Sequence, residues 1–135
     1  MTNLLYPLYK ENVIAGNDGY SLSAAVVKVV LVDTVAYTYA ATDQYLSDVA
    51  VASRIHTSPA LASKTFTGGT FDAANTTLTA VTAGPAAEAL VLYTSTGAEA
   101  SSELICYIDT GSGLPITPDN TDIVISWNAS GIFAI

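Results

Sequence analysis

The chain has 135 residues, of which 50% are hydrophobic and only 12% charged, and its acids outnumber its bases to a formal net charge of -8. One domain suits that length. An average soluble domain is about 25% charged, so a mean hydropathy of +0.42 points to apolar surface beyond the needs of a lone monomer. The acidic balance opposes direct nucleic-acid binding, which needs a basic patch. No apolar run reaches the ~18–20 residues of a membrane span, and the single Cys106 excludes an internal disulfide.

Residues 1–20 read as an amino-terminal arm ahead of one β domain over 21–135. Met1 to Leu8 has no basic region followed by an apolar core, so it does not read as a secretory signal. The arm carries Leu4, Leu5, Tyr6, Leu8 and Tyr9, then polar Lys10 to Asn12, then glycines at 16 and 19. Pro7 and those glycines argue against one continuous helix. Two alternatives stay open: a terminal strand of the domain, or an extended arm that packs on a neighbouring subunit.

Val26 to Val32 is dense in β-branched residues and predicts a strand. Val35 to Tyr39 predicts a shorter one. Thr42 followed by Asp43 provides a cap and a first-turn acid, and Tyr45, Leu46, Val49 and Ala50 share a face at helical spacing. These predict one short helix over 43–52. Further strands are expected at Thr76 to Val81, Ala89 to Tyr93, Leu104 to Ile108 and Ile123 to Trp127, and the apolar end at Ile132 to Ile135 is expected to be held in a sheet. Gly68-Gly69, Ser95-Thr96-Gly97, Gly111-Ser112-Gly113 and Pro118-Asp119-Asn120 supply turns between them. The expected fold is all-β, an antiparallel sandwich or open barrel with one short helix and an extended N-terminal arm. Val26 to Val32, Ala89 to Tyr93 and Leu104 to Ile108 do not alternate, so both faces of those strands want cover, most simply from another copy or another protein.

The sharpest chemical motif, Asp109-Thr110-Gly111-Ser112, resembles the signature of aspartic proteases, which need two such aspartates sharing a proton. Too little chain follows Ser112 for the flap and strands of that family, and a Gly-rich turn with Asp109 bonding local backbone is the plainer reading. His56 is the only histidine, and no nucleophile elbow surrounds any serine. One His and one Cys do not make a usual zinc site, and Cys106 reads as a small buried hydrophobe. Asp119-Asn120-Thr121-Asp122 offers oxygens but lacks the spacing of a calcium loop. The glycines fit no phosphate-binding loop. Asn75-Thr76-Thr77 and Asn128-Ala129-Ser130 match the glycosylation pattern as chance in a chain rich in Thr and Ser. Tyr37 and Tyr39 would share a strand face, either as half-buried packing or as a glycan-stacking platform. No catalytic residue, cofactor or metal ligand is assigned.

The order of Lys28 to Asp33, Tyr37-Thr38-Tyr39, Asp43 to Val49, Glu88 to Tyr93, Ile108 to Pro115 and Ile123 to Ile135 resembles a widespread family of small tailed-bacteriophage virion proteins. The resemblance implies a non-enzymatic structural role in a virion assembled in the host cytoplasm. Its first form is head decoration: a cement protein, a trimer by preference, bound to the major capsid protein without nucleic acid or membrane. A tail- or fibre-associated role and a glycan-binding module are the alternatives. Leu4, Leu5, Tyr6, Leu8 and Tyr9 are then the expected anchors on neighbouring subunits, and deleting Met1 to Tyr9 is expected to weaken capsid binding while the body stays folded.

Overall fold

A computed structural model describes residues 3–17 and 20–135. The chain runs through β1 (Leu4–Leu5), α1 (Pro7–Ile14), β2 (Val26–Val32), β3 (Arg54–Thr57), β4 (Thr70–Phe71), β5 (Thr76–Leu78), β6 (Ala89–Ser95), β7 (Leu104–Ile108), β8 (Ile123–Ile125) and β9 (Phe133–Ala134). Short 3-10 turns fill parts of the connections. The main sheet has five antiparallel strands in the order β1-β7-β6-β2-β3, and two ribbons, β4–β9 and β5–β8, complete a sandwich-like fold that does not close into a barrel.

The three apolar runs form the centre of this sheet. β2 and β6 pair over seven residues, from Val26 opposite Ser95 to Val32 opposite Ala89. β6 then pairs with β7, with a register shift between Leu92 and Tyr93. β6 is buried from Ala89 through Thr94, so both faces are covered, and the cover comes from the chain itself. Val91 sits opposite Tyr107 on one face, where Tyr107 meets the rings of Tyr39 at 5.4 Å and Tyr37 at 6.3 Å. Leu90 sits opposite Ile108 on the other, beside Ile116, Ile125 and Ile132. The missing alternation therefore reflects long loops folding over the sheet, not a face left for a second molecule. Fully burying each of these large aliphatics contributes roughly 1.5–3 kcal/mol.

Among the described residues the single α-helix is at Pro7–Ile14, not at 43–52. Pro7 starts it, because the first helical position needs no N–H donor and proline already holds the helical φ. Over 43–52 the chain makes two 3-10 turns, Leu46–Asp48 and Val51–Ser53. The Asp48 carboxylate accepts from the N–H groups of Gln44 and Tyr45, which closes a tight local turn in place of a helical one. Val35 to Tyr39 is not a strand either. Asp33 Oδ1 accepts from Val35 N, and Asp33 O from Ala36 N and Tyr37 N, so the chain turns as soon as β2 ends. β5 stops at Leu78, short of Val81, because Ala80 takes a positive φ of 47°.

Of residues 1–20, the described part packs as a terminal strand and helix of the domain. Leu4 and Leu5 pair with Tyr107 and Cys106, Tyr6 N donates to Ile105 O at 3.0 Å, and Tyr6 and Tyr9 are fully buried.

Candidate interaction surface and cleft

The five expected anchors divide by exposure. Tyr6 and Tyr9 lie in the chain's own core, Leu5 packs partly against it and Leu8 is half-buried, which leaves Leu4, at 37%, as the one exposed member. The tyrosines cannot grip a neighbour without leaving their own domain. Tyr6 belongs to a hydrogen-bonded chain: Tyr37 Oη donates to Asp43 Oδ2 at 2.7 Å, and Tyr6 Oη, 2.9 Å from Tyr37 Oη, donates to it in turn. Burial pushes both phenols well above the ordinary tyrosine range. Tyr37 is buried and Tyr39 packs between Tyr6 and Tyr107, so this pair offers packing, not an open sugar platform.

A second polar knot forms around Glu103, which is 8% exposed. Its Oε1 accepts from Tyr20 Oη and from Gln44 Nε2, while its Oε2 is enclosed without a hydrogen-bond donor. Two cations act as staples that the sequence did not reveal. The Arg54 guanidinium donates to Val49 O at 2.9 and 2.6 Å, to Leu46 O at 2.9 Å and to Glu99 Oε1 at 2.9 Å. Lys64 Nζ donates to the carbonyls of Leu22 and Ala25. No spacing rule links these residues; only the folded loops bring them together.

The chemical motifs act as structural elements. Asn3 Oδ1 accepts from Asp109 N at 2.9 Å and Thr110 N at 3.0 Å, and Asn3 Nδ2 donates to Thr110 O at 3.1 Å, so the amide prolongs the β1–β7 ladder across the Asp-Thr-Gly turn. His56 faces Leu31 across the β2–β3 pair and is half-buried. Cys106 is buried, and loss of solvent pushes its thiol up to about 12, which makes it a poor nucleophile. In the 119–122 turn, Asp119 Oδ1 accepts from Thr121 N, Asn120 Oδ1 from Ala83 N and Asp122 Oδ1 from Ala80 N, so these oxygens serve backbone donors. Among the described residues, no group of three or more His, Cys, Asp or Glu is placed to hold a metal ion.

Two surface features stand apart. One is an apolar patch where β2 ends and β3 begins. Asp33 N donates to Ser53 O at 2.9 Å and draws two loops together. Val35, 90% exposed, and Val51, 70% exposed, project from them beside exposed Ala36, Ala50 and Ala52. The other is a cleft of 370 Å³ between the sheet and the carboxyl-terminal segment, floored by Leu90 and Ile108 and bordered by Trp127. Neither was legible beforehand, although Val35 and Val51 in turns rather than strands are the signal that marks the patch.

No protein-family model and no curated protein matches this chain.

Proposed function

We propose that the chain is a structural subunit of a bacteriophage virion, a head decoration protein that binds the major capsid protein and acts as an oligomer, a trimer by preference. The observation that carries this reading is the exposed apolar patch around Val35 and Val51 on a domain that already covers its own sheet. Val35 and Val51 stand on two loops that the Asp33–Ser53 hydrogen bond draws together, and exposed apolar groups so placed favour contact with another molecule. The low charge content and the resemblance to small virion proteins support the same role. In this reading the patch, rather than the buried Tyr6 and Tyr9, forms the contact.

The test is light scattering of the purified chain, followed by co-sedimentation with empty heads. The wild-type chain is expected to form a defined oligomer and to pellet with heads. Val35→Glu with Val51→Glu, both in exposed turns, is expected to abolish pelleting while circular dichroism stays unchanged. A monomer that ignores heads would refute head decoration, and binding to tails instead would support the tail-associated alternative.

A further inference from the structure

We propose that the cleft beside Trp127 is a binding site for a neutral N-acetylated hexosamine, with the acetamido group in the aliphatic depth and the ring hydroxyls at the rim. The proposal is independent of the assembly role, since it concerns a different part of the surface.

The cleft is built by the fold, not by one loop. β6 and β7 supply the floor, the turn after β7 supplies one wall through Leu114 and Ile116, and the carboxyl-terminal segment supplies the other through Ile125 and Ile132. Its volume of 370 Å³ lies at the small end of the about 300–1,000 Å³ common for small-molecule sites, and such sites combine apolar walls with a few polar groups. The polar groups here are uncharged. Ser112 and Ser126 present hydroxyls, and Asn128 uses its Oδ1 to accept from Ser130 N, which leaves its Nδ2 hydrogens for a ligand. Asn3 also lines the cleft, but its amide is committed to Asp109 and Thr110, so it holds the rim in place. Trp127 adds an aromatic surface, and its Nε1–H is enclosed without an acceptor. A buried N–H of that kind is rare in folded proteins. The proposal includes a rotation of the ring that brings this N–H to the bound ligand.

These features select among ligand classes. A pure hydrocarbon would fill the walls and leave the rim hydroxyls and the indole N–H unanswered. An anion is disfavoured, because among the described residues no cationic side chain lines the cleft and the chain carries -8. A plain hexose has hydroxyls but no alkyl group for the aliphatic floor. An N-acetylhexosamine has a methyl group for the floor, a carbonyl oxygen that accepts from the indole, hydroxyls for Ser112, Ser126 and Asn128, and an apolar ring face for Trp127. Among the described residues no carboxylate lines the cleft, so the pair that glycoside hydrolysis needs is not found there and the site is proposed for binding.

Trp127 is the only tryptophan, so its emission reports on the cleft directly. The full chain is titrated with N-acetylglucosamine and, separately, with glucose, by fluorescence and by calorimetry. The expected result is saturable binding with Kd about 1 mM, as suits a small ligand held by a few polar contacts. Glucose is expected to bind about tenfold more weakly. Ser126→Tyr, at an exposed rim position, is expected to fill the mouth and weaken binding at least about tenfold, with circular dichroism unchanged. Absence of saturable binding, equal affinity for the two sugars, or a folded Ser126→Tyr protein with unaltered affinity would each overturn the assignment. The comparison of the two sugars on the wild-type chain stands even if that variant does not fold.

Discussion

Replacing Tyr6 with alanine tests whether the amino-terminal segment is core or arm. The residue is fully buried, its ring lies 5.2 Å from that of Tyr39, and its hydroxyl completes the chain through Tyr37 to Asp43. Removing a buried aromatic side chain costs about 3–5 kcal/mol, through lost transfer energy and the cavity left behind. Tyr6→Phe keeps the ring and removes only the donated O–H, a loss of about 1 kcal/mol. Tyr37 keeps its own bond to Asp43 in that variant, which holds the cost at the low end. The assay is urea unfolding followed by Trp127 emission and far-ultraviolet circular dichroism. With a slope of about 2 kcal/mol/M, Tyr6→Ala should lower the midpoint by about 1.5–2.5 M and Tyr6→Phe by about 0.5 M. The domain's whole stability is about 5–15 kcal/mol, so deleting residues 1–9 should leave a largely unfolded body. An alanine midpoint within about 0.5 M of wild type would refute this and restore the segment as a free arm.

Gly131→Ala is expected to destabilise by about 2–3 kcal/mol, because φ is +102° there and a Cβ would stand 2.3 Å from Thr70 Cγ2 and 3.1 Å from Phe71 O. Gly97→Ala, with φ at +90° but open space around it, should cost only about 1–2 kcal/mol in the same urea assay. Alkali should unfold the protein cooperatively. Burial pushes Tyr6 and Tyr37 up, Tyr9 to about 12 and Cys106 to about 12, so the folded state holds protons that the unfolded chain releases. Their stabilisation is complete below the unfolded thiol and phenol values of about 8.5 and 10 and is lost above them, by about 1.4 kcal/mol per pH unit for each group. Melting temperature against pH, with the Tyr6, Tyr9 and Tyr37 phenols ionising only on unfolding, checks this; titration of those three in the folded state near the ordinary phenol value of about 10 would contradict it. Arg54→Lys should cost about 1–3 kcal/mol in urea unfolding, because an ammonium cannot span the carbonyls of Leu46 and Val49 as the guanidinium does. Glu99→Gln, at the exposed end of that contact, should move the midpoint far less.

The sequence by itself determined the fold class, because β-branched density and runs such as Val26–Val32, Ala89–Tyr93 and Leu104–Ile108 act through local backbone preference and neighbour burial. It also located the turns at Gly68-Gly69, Gly97 and Gly113, where a positive φ selects glycine. Only the tertiary structure decided where the helix forms. The apolar spacing over 43–52 was real, but Asp48 and Arg54 satisfied that segment's backbone through contacts that no helix provides. The same holds for the amino terminus, whose apolar residues are equally suited to an arm and to a core until β7 offers an edge and Tyr37 a hydrogen-bond partner. The cleft was invisible for a related reason: Asn3, Leu90, Ile116 and Trp127 lie far apart in sequence, and a cavity exists only where packing between distant segments falls short.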